Sequence, residues 1–518
     1  MSTIGQLYSL RGTVRLAWFR LRHRRRSLDR AISHLARAAA RLGVSHPDRP
    51  LVLAALSNGL IWRYELTSET ADLDDALGRL RDAIASPGVS ADERGAFLGD
   101  LAAALRTRFI RYGRPADLDE AIEAATGAIR QCEDPTSGIT NRALALLDRY
   151  ERTADLGDLL GALRDARTPV RGSVRVALHN GLRLGVLVSA LSSRYQYTDD
   201  PQDLRDAIAA GRKALATLSR VDPYRAQYAA LLSGVLRLSD EAALRSEGVD
   251  MAEEALRDSS PEQVDHAYRL SSLSLALLMR HLSSGDEDDL RRAREVADDA
   301  LASATSGNRP MLLQRVGLLA RRWFDVTFDA TALATGEQAI REAIEVTAAE
   351  HPMRDGLVCE LVDLWRRHPD SAQREGDVLP LLVDAVRRPG PAVSLHNALR
   401  AAVRLAELGA ESGDTVQALL GYRRAVDLLP TAAWPGLRRA VREARLAEAP
   451  RATDAVAQAV KAGEPQLAIE LLEAGRSVIW SQQLDLRTDL SRLRGAAPEL
   501  AERMNGIRGW FERPTVES

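Results

Sequence analysis

The chain has 518 residues, 45% hydrophobic and 27% charged, with a formal net charge of −2; this is the composition of a folded protein, with no global charge bias toward nucleic acid or membrane. Its two cysteines, Cys132 and Cys359, lie far apart, which excludes a disulfide framework and a cysteine-based metal site. No run approaches the ~20 apolar residues of a transmembrane helix, and residues 1–27 lack the apolar core of a signal peptide, so the expected location is the cytoplasm.

Residues 1–27 contain seven arginines, Arg11, Arg15, Arg20, Arg22, Arg24, Arg25 and Arg26, and no acid. Ile4, Leu7, Val14, Trp18 and Leu21 can share one helical face. One reading is a basic capping helix in which Trp18 and Leu21 cover the first repeat while the arginines face water. The other is an amphipathic helix that meets anionic lipid, nucleic acid or an acidic partner. No aromatic interleaving elsewhere supports the nucleic-acid version.

From residue 28 a motif recurs in which Leu or Val is followed three residues later by Ala, at Leu28/Ala31, Leu73/Ala76, Leu118/Ala121, Leu159/Ala162, Leu204/Ala207, Val249/Ala252 and Leu290/Ala293. The alanines are spaced by 45, 45, 41, 45, 45 and 41 residues, a true period. Twelve residues before several of them stands a ring preceded by Arg: Arg63-Tyr64, Arg108-Phe109, Arg149-Tyr150, Arg194-Tyr195 and Arg280-His281. An apolar helical pattern such as Leu53, Leu56, Leu60 and Ile61 precedes the ring, and a polar stretch follows it. Each unit therefore reads as helix, loop, helix. The second helix places Ala76, Leu80 and Ala83 on one face, so that two helices can approach closely; Asp72, Asp74 and Asp75 lead in with negative charge at the helix N-terminus. One hairpin cannot bury its own apolar faces, so the units must stack. The fold expected is all-α, a right-handed superhelical solenoid of about eleven units. The organisation expected is a capping helix over 1–27, expanded repeats of period about 41–46 over 28–367, an irregular unit or bend over 368–397, and C-terminal repeats with terminal helices over 398–518.

Chemistry-bearing patterns are few. There is no G-x-x-x-x-G-K-[ST], H-E-x-x-H, G-x-S-x-G or Gly-rich nucleotide turn, and no catalytic residue, metal site or cofactor is assigned. Cys132 and Cys359 lie within helical patterns and read as structural. His34, His179 and His281 fall at related places in the repeats and read as packing or helix-end residues. The acidic run Asp286–Asp289 precedes a helix and reads as charge compensation at its N-terminus. In the Arg-ring pairs, the ring is expected between the two helices of its own unit, with the Arg at a helix C-terminus.

Residues 418–430 carry Ala418, Tyr422, Ala425 and Pro430 after the helix "LRAAVRLAELGAESGD", the spacing of the second helix in tetratricopeptide repeats (TPRs), which the chain resembles. The longer period of the earlier units resembles the expanded repeats of actinobacterial proteins that carry a CHAT domain, a caspase-like protease domain. An actinobacterial source also agrees with the scarcity of lysine, present only at Lys213 and Lys461, as GC-rich coding would produce. The tail "EAGRSVIWSQQLDLRTDL" is similar to the segment that leads into that domain, yet the chain stops at Ser518, where the protease domain would begin.

The resemblance implies a non-enzymatic scaffold or sensor that binds a protein or peptide in its concave groove, the partner being a CHAT-type protease or its target. The alternative is the regulatory repeat half of a protease whose catalytic domain is absent from this chain. A second alternative is an adaptor recruited to membrane or nucleic acid through residues 1–27. Groove-facing candidates by resemblance are Asn58, Trp62, Arg106 and Ser189.

Overall fold

The structure, a computed structural model, describes residues 2–504 apart from 23–24, 68, 154, 169–174, 219–224, 258–264, 306, 350, 352, 369–374, 389–394, 434–441, 444–445, 447–451, 477, 479–490 and 503. The described residues are helical throughout, without strands. In chain order the helices are α1 (Ser2–Arg22), α2 (Arg25–Arg41), α3 (Arg49–Thr67), α4 (Thr70–Ala85), α5 (Ala91–Tyr112), α6 (Pro115–Gln131), α7 (Thr136–Thr153), α8 (Leu156–Arg167), α9 (Arg175–Thr198) and α10 (Pro201–Ala216). There follow α11 (Arg225–Leu236), α12 (Ala242–Leu256), α13 (His266–Ser284), α14 (Glu287–Ala302), α15 (Arg309–Thr327), α16 (Ala330–Val346), α17 (Met353–Trp365), α18 (Glu375–Arg387), α19 (Leu395–Ser412) and α20 (Thr415–Ala432). The last are α21 (Ala452–Lys461), α22 (Pro465–Arg476) and the short α23 (Ser491–Ala496). The described helices follow one another in packed pairs, a TPR-like array. Partners pack along each other, as in α3 with α4, α5 with α6 and α19 with α20, and successive first helices also touch, as α5 does α7 and α11 does α13.

The chain divides into two compact units, one of residues 1–194 and 201–319, the other of 195–200 and 320–518. In the first, the motif alanines Ala31, Ala76, Ala121, Ala162, Ala207, Ala252 and Ala293 are fully inaccessible, as are Leu73, Leu118 and Leu290. Small side chains at the crossing let the helices close up, which is why the period shows in alanine rather than in larger residues. The second unit uses glycine as well. A Cβ on Gly421 would stand 2.6 Å from the Ala402 carbonyl oxygen, so α20 lies directly on α19.

Helix ends recur with the same chemistry. Asp155, Asp286, Asp329 and Asp414 cap the second helices of their pairs by accepting from backbone N–H groups in the first turn, and Ser90 with Glu93 forms a capping box on α5. First helices end on a left-handed residue four after the ring: Gly113 (φ 67) and Gly285 (φ 75), but also Asp199 (φ 53) and Phe328 (φ 57). Each donates its N–H to the ring residue's carbonyl, the αL helix ending that glycine favours. Arg49, Arg225 and Arg354 cross from the start of a first helix to the carbonyls ten and seven residues back, Ala39 and Leu42, Leu215 and Leu218, Ile344 and Thr347. They thereby satisfy carbonyls that the preceding helix leaves open.

Helix α1 packs along α2 as α3 does along α4, with Gly5 against Leu42 and Gly12 against Leu35 and Tyr8 stacked on His34 at 5.7 Å. Ile4, Leu7 and Val14, together with Leu10, are exposed; the apolar stripe read from the sequence faces outward along this stretch. The side chains of Trp18, Arg20, Leu21, Arg22, Arg24 and Arg25 lie outside the described residues; Arg11 and Arg26 are exposed and Arg15 is half-buried. The region 368–397 contains α18, which carries Pro380 inside the helix. The tail motif 473–490 and His179 fall largely or wholly outside the residues whose side chains are described.

Candidate functional site

Two sets of contacts decide what each polar side chain on the first helices is for. The first joins the two helices of one unit. Arg63, Arg108, Arg149, Arg194 and Arg280 each grip the aspartate nine residues on, Asp72, Asp117, Asp158, Asp203 and Asp289, through two parallel N–H···O bonds. For Arg280 and Asp289 both are 2.7 Å. The five aspartates are buried. Hydrogen bonding to the carboxylate raises the Arg63, Arg108, Arg149 and Arg280 pKa values above the ordinary guanidinium value. Where one member is missing the other is too: Ser239 stands opposite Gly248, and Trp323 opposite Ala332. The Arg of the Arg-ring pair is therefore an internal clamp, and Asp72, in the first turn of α4 as expected, is also its partner. The rings follow the expected packing: Tyr64 and His281 are buried, Phe109 and Tyr150 pack on the core, and His281 Nδ1 lies 2.7 Å from the Asp286 carbonyl oxygen.

The second set joins first helices of neighbouring units at a separation of 42 residues. Asn58 Nδ2 donates to Asp100 at 3.2 Å, and Arg106 grips Asp148 at 2.5 and 3.4 Å. Two of the four groove candidates, Asn58 and Arg106, thus stand on adjacent rungs of one ladder. Ser189 is half-buried on α9, whereas Trp62 packs against the hydrophobic core. On the second helices, Arg81–Glu120 (2.8 Å) and Arg292–Glu253 (2.7 Å) tie neighbouring units from the other side; such exposed pairs are each worth at most about 1 kcal/mol.

Sequence reading missed a third group. Within the first unit the array curls until the loop before α15 meets the end of α5: a Cβ on Gly307 would stand 3.0 Å from the Ile110 carbonyl oxygen and 3.3 Å from that of Arg111. The helices from α5 to α15 so surround a hollow. Tyr268 on α13 feels the charges of Glu151 on α7, of Arg237 in the turn after α11 and of Arg315 on α15, and Arg315 feels that of Arg237. Tyr268 is 54% exposed and Glu151 is also open to water, yet both stand inside the ring with chain on most sides. Enclosure followed by the Asp148 charge pushes the Glu151 carboxyl up to about 7, and enclosure followed by the like charge of Arg237 pushes Arg315 down to about 10. The only signal in the sequence is an absence, that of an acid at the ladder spacing from either arginine.

The cysteines are held as thiols. Burial raises the pKa of both, that of Cys359 to about 12, the opposite of what a nucleophilic thiolate needs. Among the described residues no group of His, Cys, Asp and Glu side chains is arranged to hold a metal ion, and no helix is long and apolar enough to cross a membrane.

No protein-family profile matches the chain, and no curated protein matches it. Solved structures similar to it include a tetratricopeptide repeat protein from Parabacteroides merdae ATCC 43184 (14% identity, 60% of this chain and 98% of that one, TM-score 0.35). Others are the human IFIT1 dimer with PPP-AAAA (13%, 88% and 94%, TM-score 0.44) and the apo form of RapI (13%, 74% and 98%, TM-score 0.38).

Proposed function

We propose that the chain is a non-enzymatic scaffold or sensor that receives a protein or peptide partner on the face lined by its first helices. The observation that carries this reading is the polar ladder of Asn58–Asp100 and Arg106–Asp148. It holds neighbouring first helices in register with side chains that remain half-buried and open to an extended chain laid across them. The finer reading is a CHAT-type protease, or its target, as the partner; the expanded repeats and the sequence of residues 473–490 support it by resemblance. A catalytic half carried elsewhere is the alternative, and it would use the same face. The test is cross-linked capture by the tagged chain from its native lysate, beside a variant carrying Asn58→Ala and Ser189→Arg. A protease or protease regulator recovered at least fivefold less by the variant is the expected outcome. Equal recovery by both proteins would sink the groove reading.

The exposed Ile4, Leu7, Leu10 and Val14 beside Arg11 favour a second reading, in which α1 lies on an anionic surface. Vesicles containing a quarter phosphatidylserine should then sediment the protein at low salt, release it as salt rises, and fail to sediment an Ile4→Asp, Leu7→Asp variant. Binding to purely zwitterionic vesicles, or by that variant, would count against it.

A further inference from the structure

Most arginines of the first helices are spoken for. Five clamp the aspartate nine residues on, Arg106 pairs with the next first helix, and Arg49 and Arg225 satisfy carbonyls of the preceding unit. Arg237 and Arg315 have no such partner among the described residues. The residue 42 positions on from Arg237, where Arg106 finds its aspartate, is Met279, and 42 positions before Arg315 stands Leu273. The Arg315 Nε is buried without an acceptor. Arg183 and Arg269 also have a buried Nε of that kind, but they use other nitrogens on Ala166 and Thr168 and on Asp265. Arg315 makes no second contact of that kind.

Two guanidinium groups that repel each other inside an enclosing ring, neither with a counter-ion, cost the free protein stability. A bound anion removes that cost and supplies the oxygens that planar guanidinium forks match best. Tyr268, on the facing helix, can donate its hydroxyl to the same anion. A nucleic-acid backbone would bring a row of charges against Asp100, Asp148 and Glu151, all on neighbouring turns of the first helices. A polypeptide carrying one oxyanion avoids that repulsion.

We propose that Arg237 and Arg315, with Tyr268 beside them, hold a single oxyanion, carboxylate or phosphate, presented by an acidic peptide segment that enters the hollow of the first unit. The site deepens the groove reading and rests on it. Among the described residues the two arginines have no counter-ion, and the ligand supplies it.

The test uses the full chain, Arg237→Gln, Arg315→Gln, the double variant, and Arg291→Gln as a control on exposed α14. The probes are inorganic phosphate, followed by thermal unfolding, and a fluorescein-labelled acidic peptide with serine, glutamate or phosphoserine at its centre, followed by anisotropy. Phosphate should raise the melting temperature of the wild type and of the control by a few degrees and leave the double variant unmoved. The double variant without phosphate should be at least as stable as the wild type, and peptide affinity should fall about tenfold or more. Phosphoserine binding more tightly than glutamate identifies phosphate as the oxyanion, and equal binding identifies carboxylate; either supports the site. A double variant that loses stability yet keeps the phosphate shift would make the arginines structural and overturn the proposal. So would the absence of any phosphate or peptide effect in the wild type. Capture of a lysate partner that depends on Asn58 and Ser189 but not on Arg237 and Arg315 would overturn this site while leaving the groove reading intact.

Discussion

The second unit solves the problem that the first leaves open. There Arg321, Arg366, Arg400 and Arg404 interleave with Glu360, Asp363, Glu407 and Glu411, and every arginine meets a carboxylate: Arg404 reaches both Asp363 and Glu407 at 2.9 Å, Arg366 reaches Glu407 at 2.9 Å, and Arg400 reaches Asp363 at 3.2 Å. In the hollow of the first unit Arg237 and Arg315 have no carboxylate partner among the described residues, and the charges that act on Arg315 are those of Arg237 and Tyr268. Both regions are built on first helices of the same kind of hairpin. The difference lies in what the neighbouring hairpin offers at the facing position, an acid in one region and Met279 or Leu273 in the other. An arginine on this fold becomes structural or available according to one residue some forty positions away.

Removing the acid at the centre of the paired network should have the largest effect. Asp363→Ala leaves Arg400 with Glu360 alone and Arg404 with Glu407 alone, and should cost about 3 kcal/mol, read as accelerated hydrogen exchange in α17 and α19 with the first unit unchanged. Protection as in the wild type would mean that the network is ornamental. Cutting one clamp of the first unit, with Asp117→Ala, should cost about 2–3 kcal/mol, confined to α5 and α6. Supplying the missing acid instead, with Met279→Asp, should convert Arg237 into a ladder rung like Arg106, stabilise the first unit by roughly 1 kcal/mol, and abolish the response to phosphate. Unchanged phosphate binding in that variant would show that Arg237 does not face position 279.

The smallest effect is a pH dependence. The Glu151 carboxyl is held at about 7 by enclosure, above the ~4.3 of an unfolded chain, so its ionised form is the one the fold disfavours. The resulting loss of stability is absent below about pH 4, grows between pH 4 and 7, and is complete above 7. Glu151→Gln should therefore melt with the wild type at pH 4 and above it at pH 8, by less than about 1 kcal/mol because the group is open to water. An advantage that is greatest at acid pH would contradict this assignment.

The period was legible because the closest helix crossings demand alanine or glycine, and a residue demanded by packing repeats whenever the packing does. The clamp was half legible. Arg and Asp stand nine apart five times over, but an acid in the first turn of a helix has an ordinary reading as dipole compensation, and only the fold shows the Arg63 fork on Asp72. Asn58, Trp62, Arg106 and Ser189 come from resemblance alone; that Asn58 meets Asp100, that Arg106 meets Asp148 and that Trp62 packs on the core depend on the register between hairpins, which the pattern of one hairpin does not carry. The meeting of Arg237 with Arg315 was not legible, because it depends on how far two hairpins turn relative to each other, and that rotation is set by side-chain volume at every crossing between them.

The clamp has a mechanical consequence. Arg and Asp nine residues apart lock a hairpin by its own turn, whereas the unclamped joints between hairpins rest on side-chain packing and a few polar rungs. Drawn out from its two ends, such an array should part between hairpins before any hairpin opens, releasing chain in increments of one repeat. The hairpins lacking a clamp, with Ser239 and Gly248 or Trp323 and Ala332 in the two places, should be the first to unravel from within.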